Sequence, residues 1–323
     1  MIPRLSELSL GCAQLGNLYR AIGDEQAHAT VDAAWNAGIR YFDTAPHYGL
    51  GLSERRLGEA LAGRPRDDYV LSTKVGRLLE PLPGPQGIDT EGFDVTATHR
   101  RAWDFSRDGV LRSLEESLER LKLDRVDIIY LHDPDNHYRD ALTHAYPTLE
   151  ELRSQGVVSA IGAGMNQTAM LADFAKDTDM DLVMLAGRYT LLEQTALDEL
   201  LPVCEQRGIG VIAAGVFNSG LLARRTPARG AKYNYSGVPP QLLQHASRIA
   251  TICGQHTSSL PAAALAFPVG HPAVISICVG ARSPEQVEQN AALLHQVSPP
   301  SALWAELKEE GLLRADAPVP ATV

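Results

Sequence analysis

Four side chains in this 323-residue chain have types and spacing suited to moving a proton: Asp43, Tyr48, Lys74 and His132. A tyrosine hydroxyl ordinarily titrates near ~10, which makes it a poor acid or base at neutral pH. An ammonium beside it stabilises the phenolate and lowers that value, and a carboxylate holds the ammonium in place. Asp43, Lys74 and Tyr48 supply these three parts, and His132 could hydrogen-bond a substrate oxygen and orient it. Together they would make a proton-transfer site suited to interconverting a carbonyl and an alcohol. Each has a plainer reading on its own. Asp43 and Lys74 could be a structural ion pair across neighbouring strands, and Tyr48 an ordinary loop aromatic. The run His132-Asp133-Pro134-Asp135-Asn136-His137 could pass for a metal cluster. It lacks a helical HxxxH spacing and a third ligand of defined position, so no metal is expected. Only the conjunction of the four points to chemistry.

For these residues to meet, the elements that carry them must end at one place. Asp43 closes the apolar run Ile39–Asp43, Lys74 closes Tyr69–Lys74 and His132 closes Val126–His132. Five more strand-like runs are Leu8–Gly11, Val158–Gly162, Leu182–Leu185, Gly210–Ala214 and Val274–Val279. Several are continuously apolar, as strands covered on both faces are. Helical patterns lie between them. Val31, Ala34 and Trp35 recur at helical spacing before Gly38, and Ser53 can cap a helix carrying Leu57, Ala60 and Leu61. Ser106 introduces Leu111, Leu114, Leu118 and Leu121, and Ser283-Pro284-Glu285-Gln286 opens a last helix with Val287, Ala291 and Leu294. Eight βα units in this length predict a (β/α)8 barrel, whose chemistry sits on the C-terminal rim. A doubly wound sheet is the alternative, but it would more naturally split a chain this long into two domains. No Pro/Ser-rich linker divides it, so residues 1–323 are expected to form one domain, with 315–323 a loose tail.

Two βα connections are oversized. Residues 76–106 contain Pro81, Pro83, Gly84, Pro85 and Gly87, then Trp103, Asp104 and Phe105; residues 215–239 follow the seventh strand. Such loops should lie over the rim and shape substrate access. A disordered insertion is the bland reading of the first, although Phe93, Trp103 and Phe105 are unusual in disordered tracts.

The formal charge of -10 argues against nucleic acid or an acidic membrane as the main partner. Hydrophobic residues make up 45%, enough for a large core, and no apolar run reaches membrane-span length. The N-terminus lacks the apolar h-region of a secretory signal. Cys12, Cys204, Cys253 and Cys278 are scattered without a CxxC pair, which argues against zinc and a disulfide framework. A reduced, cytoplasmic compartment and a small-molecule partner fit best.

Asp43-Thr44-Ala45-Pro46-His47-Tyr48-Gly49, Ser72-Thr73-Lys74 and the strand-end His132 resemble the Asp/Tyr/Lys/His tetrad of the aldo-keto reductase superfamily. Leu71-Ser72-Thr73-Lys74-Val75-Gly76-Arg77 is similar to the branch of D-threo-aldose 1-dehydrogenases (L-fucose dehydrogenases). So are Trp103-Asp104-Phe105-Ser106-Arg107-Asp108-Gly109, His132-Asp133-Pro134-Asp135 and Ala186-Gly187-Arg188-Tyr189-Thr190-Leu191-Leu192. L-galactose dehydrogenases and pyridoxal 4-dehydrogenases are neighbours of that branch. The resemblance implies oxidation of the anomeric carbon of an aldose such as L-fucose to the lactone, with a nicotinamide cofactor laid across the barrel rim. Pyridoxal oxidation and general aldehyde reduction are the alternatives within the superfamily. A non-catalytic regulatory subunit, as on potassium channels, is the alternative of another class. His47, Trp103 and Asp133 are the candidate substrate contacts.

No Rossmann domain is expected. Gly208-Ile209-Gly210-Val211-Ile212-Ala213 fits GxGxxA, but it runs into a strand instead of opening a helix. By the resemblance, Asn166 binds the nicotinamide carboxamide, while the usual Gln partner is Ala186 and the usual stacking aromatic is Ala214. Phe217 or Tyr189 could substitute for that aromatic. Gly215-Val216-Phe217-Asn218-Ser219-Gly220-Leu221 stands where the family wraps the pyrophosphate, and Gly11 ends the first strand beside it. The helix start at Ser283 lies toward the adenosine. Where NADP-preferring relatives carry basic residues this chain has Gly280 and Gln286, and Gln289, followed by Asn290, replaces a carboxylate near the adenine. Arg282 is the cation that remains there, so NAD is expected to be preferred and NADP tolerated.

Overall fold

The structure, a computed structural model, describes residues 2–228, 230–234, 236–294 and 298–321. Eight parallel strands close into a barrel: β1 (Leu8–Gly11), β2 (Tyr41–Asp43), β3 (Val70–Val75), β4 (Ile128–His132), β5 (Ala160–Met165), β6 (Leu182–Ala186), β7 (Gly210–Ala214) and β8 (Val274–Gly280). β1 pairs with both β2 and β8, so the sheet has no free edge. All eight expected runs are barrel strands, with ends displaced by a few residues. β4 starts at Ile128 because the Asp127 carboxylate accepts the Leu71 N–H at 2.7 Å in place of a ladder bond. Asp181 does the same for the Ile161 N–H at 3.0 Å.

The two-residue period of the strands sorts side chains between two cores. Tyr41, Ile128, Tyr130, Leu182, Met184 and Ile212 fill the barrel interior, and Ile2 and Leu5 pack against them. Phe42, Leu71, Val75, Ile129 and Leu131 face the helices. Asp43, Lys74 and His132 continue the inward set at its C-terminal end, each two residues beyond an inward neighbour.

Helix α1 (Asp24–Asn36) ends before Gly38, whose φ of 83° turns the chain into β2. Helix α3 (Arg107–Leu121) is capped by Ser106, whose hydroxyl accepts the Gly109 N–H, as expected. Ser53 does not cap helix α2 (Leu52–Leu61). Gly51 holds that position in the left-handed region, and the buried Ser53 hydroxyl donates to the Cys12 carbonyl at 2.7 Å. Two helices join β7 to β8. Leu260–Val269 is almost wholly buried, and Pro240–Gln255 and Ser301–Glu309 pair outside it. The described residues of the tail touch the barrel at two points. Ala317 is buried and Val319 packs on the core, close against Gly270, because the C-terminal segment is apolar enough to bury. Thr322 and Val323 lie outside the described residues.

The insertion after β3 is ordered. It folds into an antiparallel hairpin of Arg77–Pro81 and His99–Trp103, and its tip bridges back through Leu18 and Phe93. The 215–239 segment carries a small ribbon of Lys232–Tyr233 against Ser236–Gly237. Among the described residues no helix is long and apolar enough to cross a membrane.

Candidate active site

Lys74 stands at the centre of the rim. Its Nζ donates to Asp43 Oδ2 at 2.6 Å and to the Thr44 carbonyl at 2.9 Å, and Ser72 Oγ donates to Asp43 Oδ1 at 2.7 Å. Lys74 also hydrogen-bonds Tyr48, and its Nζ is 4.7 Å from the centre of that ring. Burial opposes the ammonium charge, but Asp43 and Tyr48 outweigh it, so the Lys74 pKa is raised. Tyr48 is placed by its backbone. A side chain on Gly16 would collide with the Tyr48 carbonyl at 2.6 Å, and Gly49 crosses Gly16 just as closely with φ at 65°.

His132 completes the set, its ring 5.8 Å from that of Tyr48 and nearly perpendicular to it. Burial, followed by the charges of Arg77 and Lys74, holds its pKa well below the usual histidine range. Burial, Arg77, Arg101 and Lys74 push His47 down to about 2. Both rings are therefore neutral. Their approaches of 3.7 Å to Asp133 and Glu91 are not ion pairs. A neutral imidazole in this place can donate or accept a hydrogen bond without contributing charge. The four expected residues thus meet in one constellation, with Asp43, Lys74 and His132 buried and Tyr48 partly exposed.

The comparisons with known proteins agree with this geometry. Residues 7–309 match the family model described as Aldo/keto reductase family. The chain belongs to that family. It is 51% identical over 310 residues to the D-threo-aldose 1-dehydrogenase of a Pseudomonas species, covering 95% of this chain and 94% of the relative. It is 39% identical over 329 residues to the pyridoxal 4-dehydrogenase of Microbacterium luteolum, covering 96% and 95%. The solved structure of an aldo-keto reductase from Bacillus halodurans, in its holo form, superposes with a TM-score of 0.73 at 26% identity, over 99% of this chain and 94% of that one.

Two hollows of this aldo/keto reductase open beside the tetrad. A cavity of about 660 Å³ is walled by His47, Arg77, Asp89, Glu91, Phe93 and Asp133, with Tyr19 and Lys232 at its border. The inserted hairpin supplies most of that wall. Arg101 anchors the hairpin, gripping Asp89 at 2.7 and 3.0 Å and donating to the His47 carbonyl at 3.1 Å. Of the candidate substrate contacts, His47 and Asp133 line the cavity. Trp103 stands behind it, stacked on Phe105 and facing Arg77 at 4.3 Å, so it supports the wall from outside.

The second hollow, about 880 Å³, runs along the rim over β5 to β8. Asn166, Gly215, Phe217, Asn218, Ser219, Gly280, Arg282, Gln286, Gln289 and Asn290 all line it. Its shape and lining fit a nicotinamide dinucleotide. Asn218 Oδ1 and Gln14 Oε1 are buried acceptors left without a partner among the described residues. The backbone at Gly215, Asn218, Ser219 and Gly220 is left-handed, forming a tight turn in which the Asn218, Gly220 and Leu221 N–H groups donate to carbonyls of the turn itself. Two expectations need correction. Tyr189 is buried against Phe267 and His271, so it cannot stack on a ring in the cleft, whereas Phe217 lines it. Leu221 points into the core, since it is the apolar residue that fastens the turn. Gly11 lies in register with both Asp43 and Gly280, at the seam between tetrad and cleft.

Several wall residues escaped the sequence reading: Gln14, Tyr19, Arg20, Arg77, Arg101 and Arg224. Arg77 alone carried a signal, lying three residues after Lys74. Among the described residues no group of three or more His, Cys, Asp or Glu side chains converges as a metal-binding set.

Proposed function

We propose that this chain oxidises the anomeric carbon of an aldose to the lactone with NAD(P) as hydride acceptor. The observation that carries the proposal is Lys74, dry and charged, held between Asp43 and Tyr48 with a neutral His132 opposite. The substrate is the cyclic hemiacetal, whose C1 carries one hydroxyl and one hydrogen. A bound nicotinamide supplies the acceptor for the hydride that leaves C1. Tyr48 takes the C1 hydroxyl proton as the C1–O bond becomes the lactone carbonyl, and Lys74 favours the phenolate that makes this possible. Asp43 holds Lys74, and His132 hydrogen-bonds the C1 oxygen to set its direction. The polar wall of Arg77, Asp89, Glu91, Asp133 and His47 suits a polyol better than the aromatic ring of pyridoxal. The Pseudomonas relative is named for aldose oxidation, which supports the same choice.

Uncharged Gly280 and Gln286 in the cleft support a preference for NAD, and Arg282 supports tolerance of NADP. Gln286 is moreover occupied, its side chain accepting the Arg282 N–H at 3.0 Å. The test is to follow NAD(P)H absorbance with L-fucose, D-arabinose, L-galactose and pyridoxal, in the wild type and in Tyr48→Phe. Aldose turnover that falls by roughly 10²–10⁴-fold in the variant, with cofactor binding kept, is expected. Turnover of pyridoxal alone would move the assignment to pyridoxal oxidation, and near-normal rates in the variant would remove Tyr48 from its role.

A further inference from the structure

Arg77 is held more elaborately than a structural ion pair requires. It leaves β3 through Gly76, whose φ of 102° turns the chain sharply, and Phe105 packs so closely there that a side chain at 76 would meet it at 2.2 Å. The turn brings the guanidinium back over the rim. One face lies 4.3 Å from the Trp103 ring; Nη2 donates to the Asp133 carboxylate, and Nη1 reaches His47 Nδ1 at 3.4 Å. Arg77 therefore grips the residue after His132 and the residue before Tyr48. Its Nε is buried without a partner among the described residues, as are those of Arg66 and Arg101, so the ends of the guanidinium are what face the cavity. Asp133, a non-glycine residue, sits in the left-handed region at φ 43°, and it too faces the cavity. Backbone strain of this kind persists where the surroundings impose it, commonly at ligand clamps.

We infer that Arg77 and Asp133 form a donor–acceptor clamp that reads two adjacent hydroxyls of the substrate next to the reacting carbon. The guanidinium donates to one hydroxyl oxygen while the carboxylate accepts from its neighbour. Both are fixed to backbone already tied to the tetrad, so a correctly configured diol seats C1 at Tyr48 and His132. The bland alternative, an ion pair that only ties the hairpin down, leaves the left-handed Asp133 facing the cavity without a reason. Arg101 with Asp89 already performs that anchoring. The inference rests on the aldose reading above and names Arg77 as a specificity-determining residue for it.

The experiment compares D-arabinose with 2-deoxy-D-ribose, which lacks the C2 hydroxyl, in wild type, Arg77→Met and Asp133→Asn. The clamp predicts that wild type prefers D-arabinose. Both variants should lose roughly 10- to 100-fold in kcat/KM on D-arabinose, mainly through KM, as expected for a lost hydrogen bond to a charged group. On 2-deoxy-D-ribose the variant of the residue that reads the C2 hydroxyl should change little, while the other, whose partner is the C3 hydroxyl, should lose about as much as before. Equal losses on the two sugars in both variants, or none in either, would overturn the clamp while leaving aldose oxidation intact. Absence of turnover on any aldose in wild type would overturn both. If Arg77→Met fails to bind NADH, and so has lost its fold, Asp133→Asn decides with the 3-deoxy analogue of D-arabinose added: its loss should vanish on one of the two deoxy sugars, and a loss kept on both would overturn the clamp.

Discussion

Lys74 Nζ and Asp43 Oδ2 are 2.6 Å apart in a part of the barrel that water does not reach, both side chains being about 2–3% exposed. Two charges so enclosed gain little net stability from each other, but either one left alone is expensive. The pair is therefore better understood as a device for presenting an ammonium to Tyr48 than as a brace. Ser72 extends it downward, bonding Asp43 at 2.7 Å and Tyr41 at 3.1 Å, and Tyr41 reaches Tyr130 at 3.1 Å. The carboxylate is thus held from below by the barrel's own interior.

Asp43→Asn should separate stability from chemistry. Removing the carboxylate charge leaves the Lys74 ammonium uncompensated in a dry site, at a cost of roughly 3–5 kcal/mol. In the wild type the raised Lys74 pKa contributes stability that is full below the usual lysine value and is lost as pH rises through the folded value. In the variant burial dominates, so the lysine should deprotonate at lower pH. Urea unfolding and the alkaline limb of the rate profile measure the two effects, and an unchanged limb would show that Asp43 does not govern Lys74.

Stability should decline on the acid side earlier than carboxylate titration alone would cause. His47 and His132 are both held neutral, with folded pKa values below the unfolded one. Protonation then favours the unfolded chain. Stability is full above pH ~6.5 and falls below it by about 1.4 kcal/mol per pH unit for each histidine until the folded value is reached. Urea midpoints between pH 7.5 and 5 should show this slope, and His47→Gln should roughly halve it. A flat profile across that window would mean that both rings charge freely in the fold.

Gly76→Ala should damage the fold and the substrate cavity together. The residue has a left-handed φ and no room for a methyl group beside Phe105, so a loss of about 2 kcal/mol or more is expected. Because Arg77 is aimed by this turn, KM for an aldose should rise more than kcat falls. Urea denaturation and steady-state kinetics on one preparation test both halves.

Discrimination between the two dinucleotides should depend on Arg282. It lines the rim cleft with Arg20 and Arg224, and burial followed by the nearby Arg20 charge lowers its pKa, so it would gain from an anion. Arg282→Gln should weaken NADP binding more than NAD binding in fluorescence titrations. Equal weakening of the two would place its contact on a group they share, and tighter NADP than NAD binding in wild type would overturn the preference for NAD.

The alternation of strands and helices and the tetrad were legible in the sequence because their causes are local. An inward-facing Tyr41 makes Asp43 inward two residues later, and Ser106 caps a helix with its own hydroxyl. The resemblance also named ten of the residues that line the rim cleft, since a backbone turn such as Gly215–Gly220 is written in adjacent positions. Tertiary structure decided what comes from far apart. The hairpin places Arg77, Asp89 and Arg101 against His47 and Asp133 through contacts spanning tens of residues, and no periodicity records them. Tyr189 and Leu221 show the converse. Tyr189 was named for its ring and Leu221 for its place in the turn, but a largely apolar side chain goes wherever the packed core has room for it, and here the core took both.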